Sequence, residues 1–153
     1  MIADTHGLLR PEAVEALRGV ERILHAGDVG RPEVLDGLAR IAPVTAVRGN
    51  VDRGAWAEAL PATAELEVDG TWFHVLHVFE ELDLDPRAAD FGVVVFGHSH
   101  RPVIRRRDGV LYVNPGSAGP RRFRLPVSVA VVEVACGRAH ATLVRLDEPD
   151  AGS

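Results

Sequence analysis

The sequence predicts an α/β domain in which two β-sheets stack and helices cover the outside. Strand and helix segments alternate over residues 1–50, which is the pattern of a mostly parallel sheet, and the second half consists mainly of hairpins. Apolar residues make up 46% of the 153 residues, enough for a sizeable core. No stretch has the composition of a linker, so we expect one domain over residues 1–147 and a flexible tail over 148–153.

In the first half, each predicted strand runs into a polar turn, and a helix follows the first two. The first strand, residues 1–3, is short for a strand at the centre of a sheet. Helices are expected at 10–20 and 31–41, because each segment has a proline near its start. Segments 21–28 and 42–50 are expected to be strands that end in glycine turns.

In the second half, turn dipeptides divide apolar segments into hairpins. The segments are 63–78, 102–114 and 126–146, with turns at Asp69-Gly70, Asp108-Gly109 and Cys136-Gly137. Segment 93–100 begins as a buried strand, and 85–92 offers at most one helical turn. This half is therefore expected to add a strand-rich second sheet to the first.

Composition excludes several classes of protein. The net charge of −5 argues against a protein that mainly binds nucleic acid or an anionic membrane. A single cysteine rules out an intramolecular disulfide framework, so the expected location is cytoplasmic. No apolar run is long enough for a membrane span, and no signal peptide is visible.

Polar side chains with metal-binding chemistry follow the apolar runs, where sites gather in open α/β sheets. Imidazole, carboxylate and amide groups form a mixed nitrogen and oxygen set that is too large for one ion. Two divalent ions that share a bridging carboxylate would employ all of these ligands. Such ion pairs activate water and bind phosphoryl groups. No thiolate is included, which argues against a structural zinc site. The candidates are Asp4, His6, Asp28, Asn50, His77, His98 and His100.

These motifs occur in the order D-x-H, GD, GN, a histidine after a strand, and GH-x-H, and together they resemble the calcineurin-like metallophosphoesterase superfamily. The small size, and "NPGS" at 114–117 followed by Pro120-Arg121, resemble its short bacterial and archaeal phosphodiesterase branch. The resemblance spans residues 2 to about 145. It implies a four-layer α/β/β/α sandwich of two mixed sheets flanked by helices, the metallo-dependent phosphatase fold.

The resemblance also implies a role for each candidate. Asp4, His6 and His100 would hold one ion, Asn50, His77 and His98 would hold the other, and Asp28 would bridge them. Asp28, Asn50 and His98 are additionally expected to take part in catalysis. The implied cofactor is a pair of divalent ions, usually manganese, with iron, zinc, nickel or magnesium as alternatives.

The implied reaction is hydrolysis of a small phosphate ester, more often a diester than a monoester, by a hydroxide that bridges the ions. Two positions depart from the family pattern. Val51 stands where relatives have a histidine that assists the leaving group, or in the nearer branch a cysteine, and Val78 follows His77 where glycine is usual. The alternatives are a protein-binding scaffold of the same fold, resembling a retromer subunit, and a regulator that binds a nucleotide without hydrolysing it. Exposed edge strands are compatible with a homodimer.

Several other polar residues have an ordinary structural interpretation. Three histidines are assigned to the core or surface, and His25, just before Asp28, is the one expected to support the site from behind. Asp52 is expected to pair with a loop group, and Asn114 to form a turn beside the site. Arg105–Arg107 is expected to be a solvated strand. The other two histidines are His74 and His140.

Overall fold

The computed structural model describes residues 1–147, where nine strands form two facing sheets. The predicted tail, 148–153, lies outside the described residues. One sheet has five strands in the order β3-β4-β5-β7-β6, with β4, β5 and β7 parallel and both edge strands antiparallel. Its strands are β3 (Thr63–Val68), β4 (Thr71–Leu76), β5 (Phe91–Val95), β6 (Val103–Arg107) and β7 (Val110–Asn114).

The other sheet is assembled around the first residues of the chain. Ile2 donates its N–H to Leu24 and accepts from Ala26, while Met1 exchanges backbone hydrogen bonds with Ala130. The N-terminal segment thus joins a parallel pair to an antiparallel hairpin, in the order β2-β1-segment-β8-β9. These strands are β1 (Ile23–His25), β2 (Val44–Ala46), β8 (Ser128–Ala135) and β9 (Arg138–Arg145).

Two helices cover the outer face of this second sheet. Both begin at a proline, as predicted, but they are shorter than the predicted segments: α1 is Pro11–Ala16 and α2 is Pro32–Ala39. Leu17 and Leu38, at or near their ends, are fully buried in a cluster with Ile23 and Val129 of the sheet. A third helix, α3 (Ala55–Glu58), was not predicted, because four residues are too few to show a helical period.

The main core lies between the sheets and includes Leu24, Phe73, Val93 and Val113. The far face of the five-stranded sheet has a thin cover: a 3₁₀ helix, Phe79–Glu81, and a turn at 86–90. This layering confirms the predicted α/β sandwich, and all three predicted hairpins are present. No helix within residues 1–147 combines the length and apolarity needed to cross a membrane. The homodimer stays a prediction.

Candidate metal centre

The candidate residues lie in loops that leave one edge of the two sheets. The N-terminal segment, β1 and β2 run parallel, as do β4 and β5, so the loops after them emerge at neighbouring strand ends. The side chains that these loops carry form two groups, and the ligand atoms within each group lie within 4.8 Å of one another. One group is Asp4, His6 and His100, and the other is Asp28, His77 and His98.

In the first group, two imidazoles from distant parts of the chain face each other. Nε2 of His6 lies 3.3 Å from Nε2 of His100, and the latter lies 3.7 Å from Oδ1 of Asp4. Asp4 and His100 are buried, whereas His6 is partly exposed. The backbone N–H of His98 donates to Asp4 Oδ1 at 3.3 Å, so the loop after β5 is fastened to the loop after the N-terminal segment.

In the second group, one hydrogen bond fixes the histidine tautomer. His77 Nδ1 donates to the carbonyl oxygen of Ala26 at 2.7 Å, which in the neutral ring leaves Nε2 with a lone pair. That Nε2 lies 3.2 Å from Oδ2 of Asp28. The rings of His77 and His98 meet edge to face with centroids 5.2 Å apart, and His98 is exposed to solvent.

Asp28 lies between the two groups. Its Oδ2 is 3.2 Å from His77 Nε2 and 3.7 Å from His6 Nε2, while Oδ1 accepts the backbone N–H of Val51 at 3.0 Å. Asn50, the residue before Val51, lies in the same turn, and its side chain is exposed and makes no hydrogen bond within residues 1–147. Six predicted side chains are therefore grouped, and the seventh stands beside them.

Burial and charge perturb the pKa values of the two carboxyl groups in opposite directions. Burial raises the pKa of Asp4 to about 7, and the nearby Asp28 adds to that rise. Burial would also raise the pKa of Asp28, but hydrogen bonds from protonated His77 and from the Val51 N–H lower it to about 2. Burial would lower the pKa of His77, and contact with Asp28 raises it instead. Asp28 is therefore the permanent negative charge of the site.

The donor set fits divalent cations. Asp4 Oδ2, His77 Nε2 and His100 Nδ1 are buried without a hydrogen-bond partner, and in the neutral His77 ring the Nε2 lone pair faces a carboxylate oxygen of Asp28. Such contacts cost free energy unless a proton or a cation lies between the two atoms. Two nitrogen or oxygen ligands of one ion, each at about 2.1 Å from it, stand about 3–3.4 Å apart. The spacings of 3.2 and 3.3 Å match that requirement.

A second set of polar residues holds these loops in register. Asp52 is buried and accepts backbone N–H groups of Val29, Gly30 and Gly49, so it ties the turn after β2 to the loop that carries Asp28. Asn114 donates to the carbonyl oxygen of Gly97 at 3.0 Å and thereby supports the loop of His98 and His100. Both residues therefore have the structural roles that the sequence suggested.

Behind the first group, His25 supports the ligand loops as expected, and its partner was missed. The N–H of Gly27 donates to His25 Nδ1, so Nε2 carries the hydrogen and donates to Thr5 Oγ1 at 2.9 Å, which in turn donates to the Val29 carbonyl. Thr5 stands between Asp4 and His6 in the chain, and that position was the available signal. Ser117 donates to the Asp4 carbonyl, and its place in "NPGS" was the only sequence signal for that role.

The remaining histidines and the arginine run lie away from the centre. His74 is buried on the far face of the five-stranded sheet, 5.1 Å from the ring of Phe91, and His140 is exposed on β9. Arg105–Arg107 are the exposed last three residues of β6, where Arg106 donates to the carbonyl of Ala139. Each has the structural role that was expected of it.

Two histidine and carboxylate groups at the edge of a two-sheet α/β sandwich define a metallohydrolase-like protein. A model of the calcineurin-like phosphoesterase superfamily domain matches residues 1–137, which is most of the chain. The chain belongs to this superfamily. A probable metallophosphoesterase of Methanothermobacter thermautotrophicus is 35% identical over 161 aligned positions, covering 97% of this chain and 92% of the relative.

Solved structures show the same fold at lower identity. A structure described as a novel archaeal phosphodiesterase superposes with a TM-score of 0.77 at 22% identity, covering 94% of this chain and 97% of the other. Vps29 of Chaetomium thermophilum superposes with a TM-score of 0.76 at 21% identity, covering 94% of each chain. At these identities the likeness establishes the fold alone.

Proposed function

We propose that this protein is a two-metal phosphoesterase that hydrolyses small phosphodiesters. The observation that carries the proposal is the position of Asp28, whose Oδ2 approaches a histidine of each ligand group. A carboxylate in that position suits a bridging ligand, and ions that share a bridge lie close enough to act on one phosphoryl group. Family membership supports the phosphoesterase activity.

Each ligand group has a separate part in the proposed site. Asp4, His6 and His100 would hold one ion, while His77, His98 and the neighbouring Asn50 would hold the other. Bound there, the ions would supply Lewis acidity toward the phosphoryl oxygens and a bound water with a pKa near 7. Asn50 and His98 are exposed on the solvent side, so they are the ligands best placed to contact substrate as well. Manganese is the ion we expect first, because it is the usual ion of the superfamily and suits carboxylate ligands.

Val51 bears on which leaving groups the proposed site accepts. This residue is 45% exposed, and its N–H contacts Asp28, so its side chain stands beside the proposed site. Valine cannot protonate a departing oxygen, and esters with poor leaving groups depend most on such a proton. Esters with activated leaving groups are therefore the expected substrates, and the choice of diesters among them rests on the family resemblance. The phosphodiesterase described for an archaeal relative of the same fold agrees with this choice.

Asp28→Ala tests the shared ligand. If Asp28 bridges both ions, its removal lowers the metal content from about two ions per chain toward none and abolishes hydrolysis of bis(4-nitrophenyl) phosphate. Asp36→Ala, which removes an exposed carboxylate from α2, is the control and retains both properties. Metal analysis of protein purified without added ions gives the readout. A metal content near two in Asp28→Ala contradicts the bridging role.

The scaffold alternative rests on likeness of fold to Vps29. It predicts that metal-loaded protein leaves phosphodiesters intact over a broad panel of substrates. Hydrolysis that disappears in Asp28→Ala and persists in Asp36→Ala is incompatible with a purely structural role. The same assay series therefore decides between the two functions.

A further inference from the structure

The loop that carries Asp28 lies directly on the loop that carries His6. The N–H groups of His6 and Gly7 donate to the carbonyl oxygens of Asp28 and Val29, at 3.0 and 2.7 Å. A β-carbon on Gly30 would overlap the backbone of His6 and Gly7, so only glycine allows this contact. The residue after Gly30 is therefore held beside the first ligand group.

Arg31 is the residue after Gly30, and its side chain lies across Gly7. A β-carbon on Gly7 would stand 3.2 Å from Cγ, 3.3 Å from Cδ and 3.4 Å from Nε of Arg31. Because Nε belongs to the guanidinium, this contact places the charged group itself next to the residue that follows His6. Arg31 is exposed, and its side chain forms no hydrogen bond or ion pair within residues 1–147.

A second arginine flanks the same helix and provides a contrast. Arg40 follows α2 at its C-terminal end, about 12 Å along the helix from the end next to Arg31, and it is also exposed. Its side chain lines a groove with Val14 and Ile41. The two arginines therefore carry the same charge on the same element, and Arg31 is the one held against a ligand loop.

The contact with Gly7 explains the position of the guanidinium but not why a positive charge stands there. Any long side chain could cover a glycine, and two divalent ions would already outweigh the two carboxylates of the site, Asp4 and Asp28. A further cation is repelled there unless an anion lies between them. A guanidinium matches phosphate well, since its planar N–H groups can donate two parallel hydrogen bonds to phosphate oxygens.

We propose that Arg31 binds the phosphate group of the substrate from the side of His6. The proposal rests on the proposed phosphoesterase function and adds a substrate-binding residue to it. The guanidinium donates to phosphate oxygens that are not being displaced, so it increases affinity more than it changes the chemical step. The ligand class is a phosphate ester, or the phosphate anion released from one.

The test compares Arg31→Met, Arg31→Lys and Arg40→Met in manganese-loaded protein. The probe is inorganic phosphate, with its dissociation constant measured by calorimetry, and metal content is measured in each variant. Methionine keeps most of the stem that contacts Gly7 and removes the charge, so Arg31→Met should weaken phosphate binding about tenfold, the effect expected for a charge-assisted hydrogen bond at a solvated site. Arg31→Lys should recover part of the loss, because it restores the charge without the planar guanidinium. Arg40→Met should match the unmodified protein, and all should keep their metal.

Steady-state kinetics on bis(4-nitrophenyl) phosphate separate this proposal from the proposed function. Arg31→Met should raise KM about tenfold with little change in kcat. If Arg31→Met and Arg40→Met bind phosphate equally, or if phosphate does not bind at all, the role of Arg31 is wrong whether or not the protein is an esterase. Loss of metal from Arg31→Met would also contradict it, because the side chain would then support the ligand loops instead. If the unmodified protein binds phosphate through Arg31 and hydrolyses nothing, the esterase proposal fails and the anion site stands.

Discussion

At the residue scale, the site is marked by its backbone as well as its side chains. Asp4, His6, Asp28, His98 and His100 all have positive φ, between 47° and 70°. Such angles are uncommon outside glycine and cost free energy, so they persist where surrounding contacts impose them. Half of the ten non-glycine residues with positive φ within residues 1–147 are therefore candidate ligands. Unusual backbone angles are thus concentrated at the candidate metal ligands.

Substitution of Val51 tests the missing proton donor. In Val51→His, a histidine beside Asp28 could protonate the leaving oxygen, a contribution of about 10²–10⁴-fold for poor leaving groups. We expect kcat/KM to rise for alkyl esters and to change little for nitrophenyl esters. The measurement is log kcat/KM plotted against leaving-group pKa, where the variant gives the shallower line. Val51→Gln, polar but unable to act as an acid near neutral pH, is the control.

Parallel lines for Val51→His and the unmodified protein would mean that another proton source, a protein group or water, already serves the leaving oxygen. Asp52 is a weak candidate for that task, because its carboxylate already accepts three backbone N–H groups. His25 is also excluded from direct contact, since it is fully buried behind Thr5. Solvent would then be the remaining source of the proton.

At the element scale, the turns were easier to predict than the sheets. Asp69-Gly70 and Asp108-Gly109 have positive φ at both positions, as two-residue hairpin turns require, and local sequence is enough to specify that geometry. The parallel pairing of β5 with β7 skips β6 and depends on long-range packing, which no local pattern encodes. The ends of α1 and α2 and the existence of α3 were not predicted correctly. Short helices are stabilised mainly by tertiary packing, which the local sequence does not show.

The same distinction applies to the candidate site. The chemistry of the ligands was readable from motifs, but His6 and His100 are 94 residues apart, and their pairing was available only through family resemblance. Thr5 and Ser117 were missed, because hydroxyl groups that support a loop look like any other small polar residue in a sequence. Metal binding by the seven residues stays a prediction.

The turn after β2 offers a test at this scale. In Gly49→Ala, the new methyl group would overlap the backbone nitrogen and a carboxylate oxygen of Asp28. Asp28 must then move, and we expect metal affinity to fall about 10–100-fold, as when a supporting contact of a ligand is lost. The control is Gly37→Ala in α2, where the added methyl meets only the end of the Leu9 side chain. Metal titration of both variants gives the comparison, and equal affinities would show that the Asp28 loop adapts without cost.

At the scale of the whole molecule, buried ionisable groups make the metal-free protein sensitive to acid. Burial lowers the pKa of His25 to about 3 and that of His100 to about 4, whereas the unfolded chain binds these protons near pH 6.5. A histidine with a lowered folded-state pKa contributes stability above the unfolded pKa and loses it as pH falls. Asp4 acts in the opposite sense, since burial raises its pKa to about 7. His77, whose pKa is raised by Asp28, acts in the same sense as Asp4, whereas His6 and the Met1 amine, whose pKa values are lowered by burial, act with the two histidines. The groups that lose stability on acidification therefore outnumber those that gain it.

We therefore expect the melting temperature of metal-free protein to fall steadily from about pH 6.5 to about pH 4.5. Differential scanning calorimetry on chelator-treated protein measures this directly. His140→Gln, which removes an exposed histidine, should leave the curve unchanged, and it serves as the control. A melting temperature that stays level or rises over this interval would mean that protonation of Asp4 dominates.

The hydrogen bonds between Met1 and Ala130 join residues 129 positions apart, and they set an order of events during synthesis. Ribosomes add about 5–20 residues per second, so the first segment emerges on the order of ten seconds before its partner strand exists. Throughout that interval one side of the segment has an unpaired edge, which neighbouring nascent chains could occupy. The helices α1 and α2 can pack against β1 and β2 early, but their sheet is completed only when β8 and β9 have left the ribosome. Completion of this sheet is thus a late event, and a chain that ends before β8 keeps the edge of the N-terminal segment unpaired.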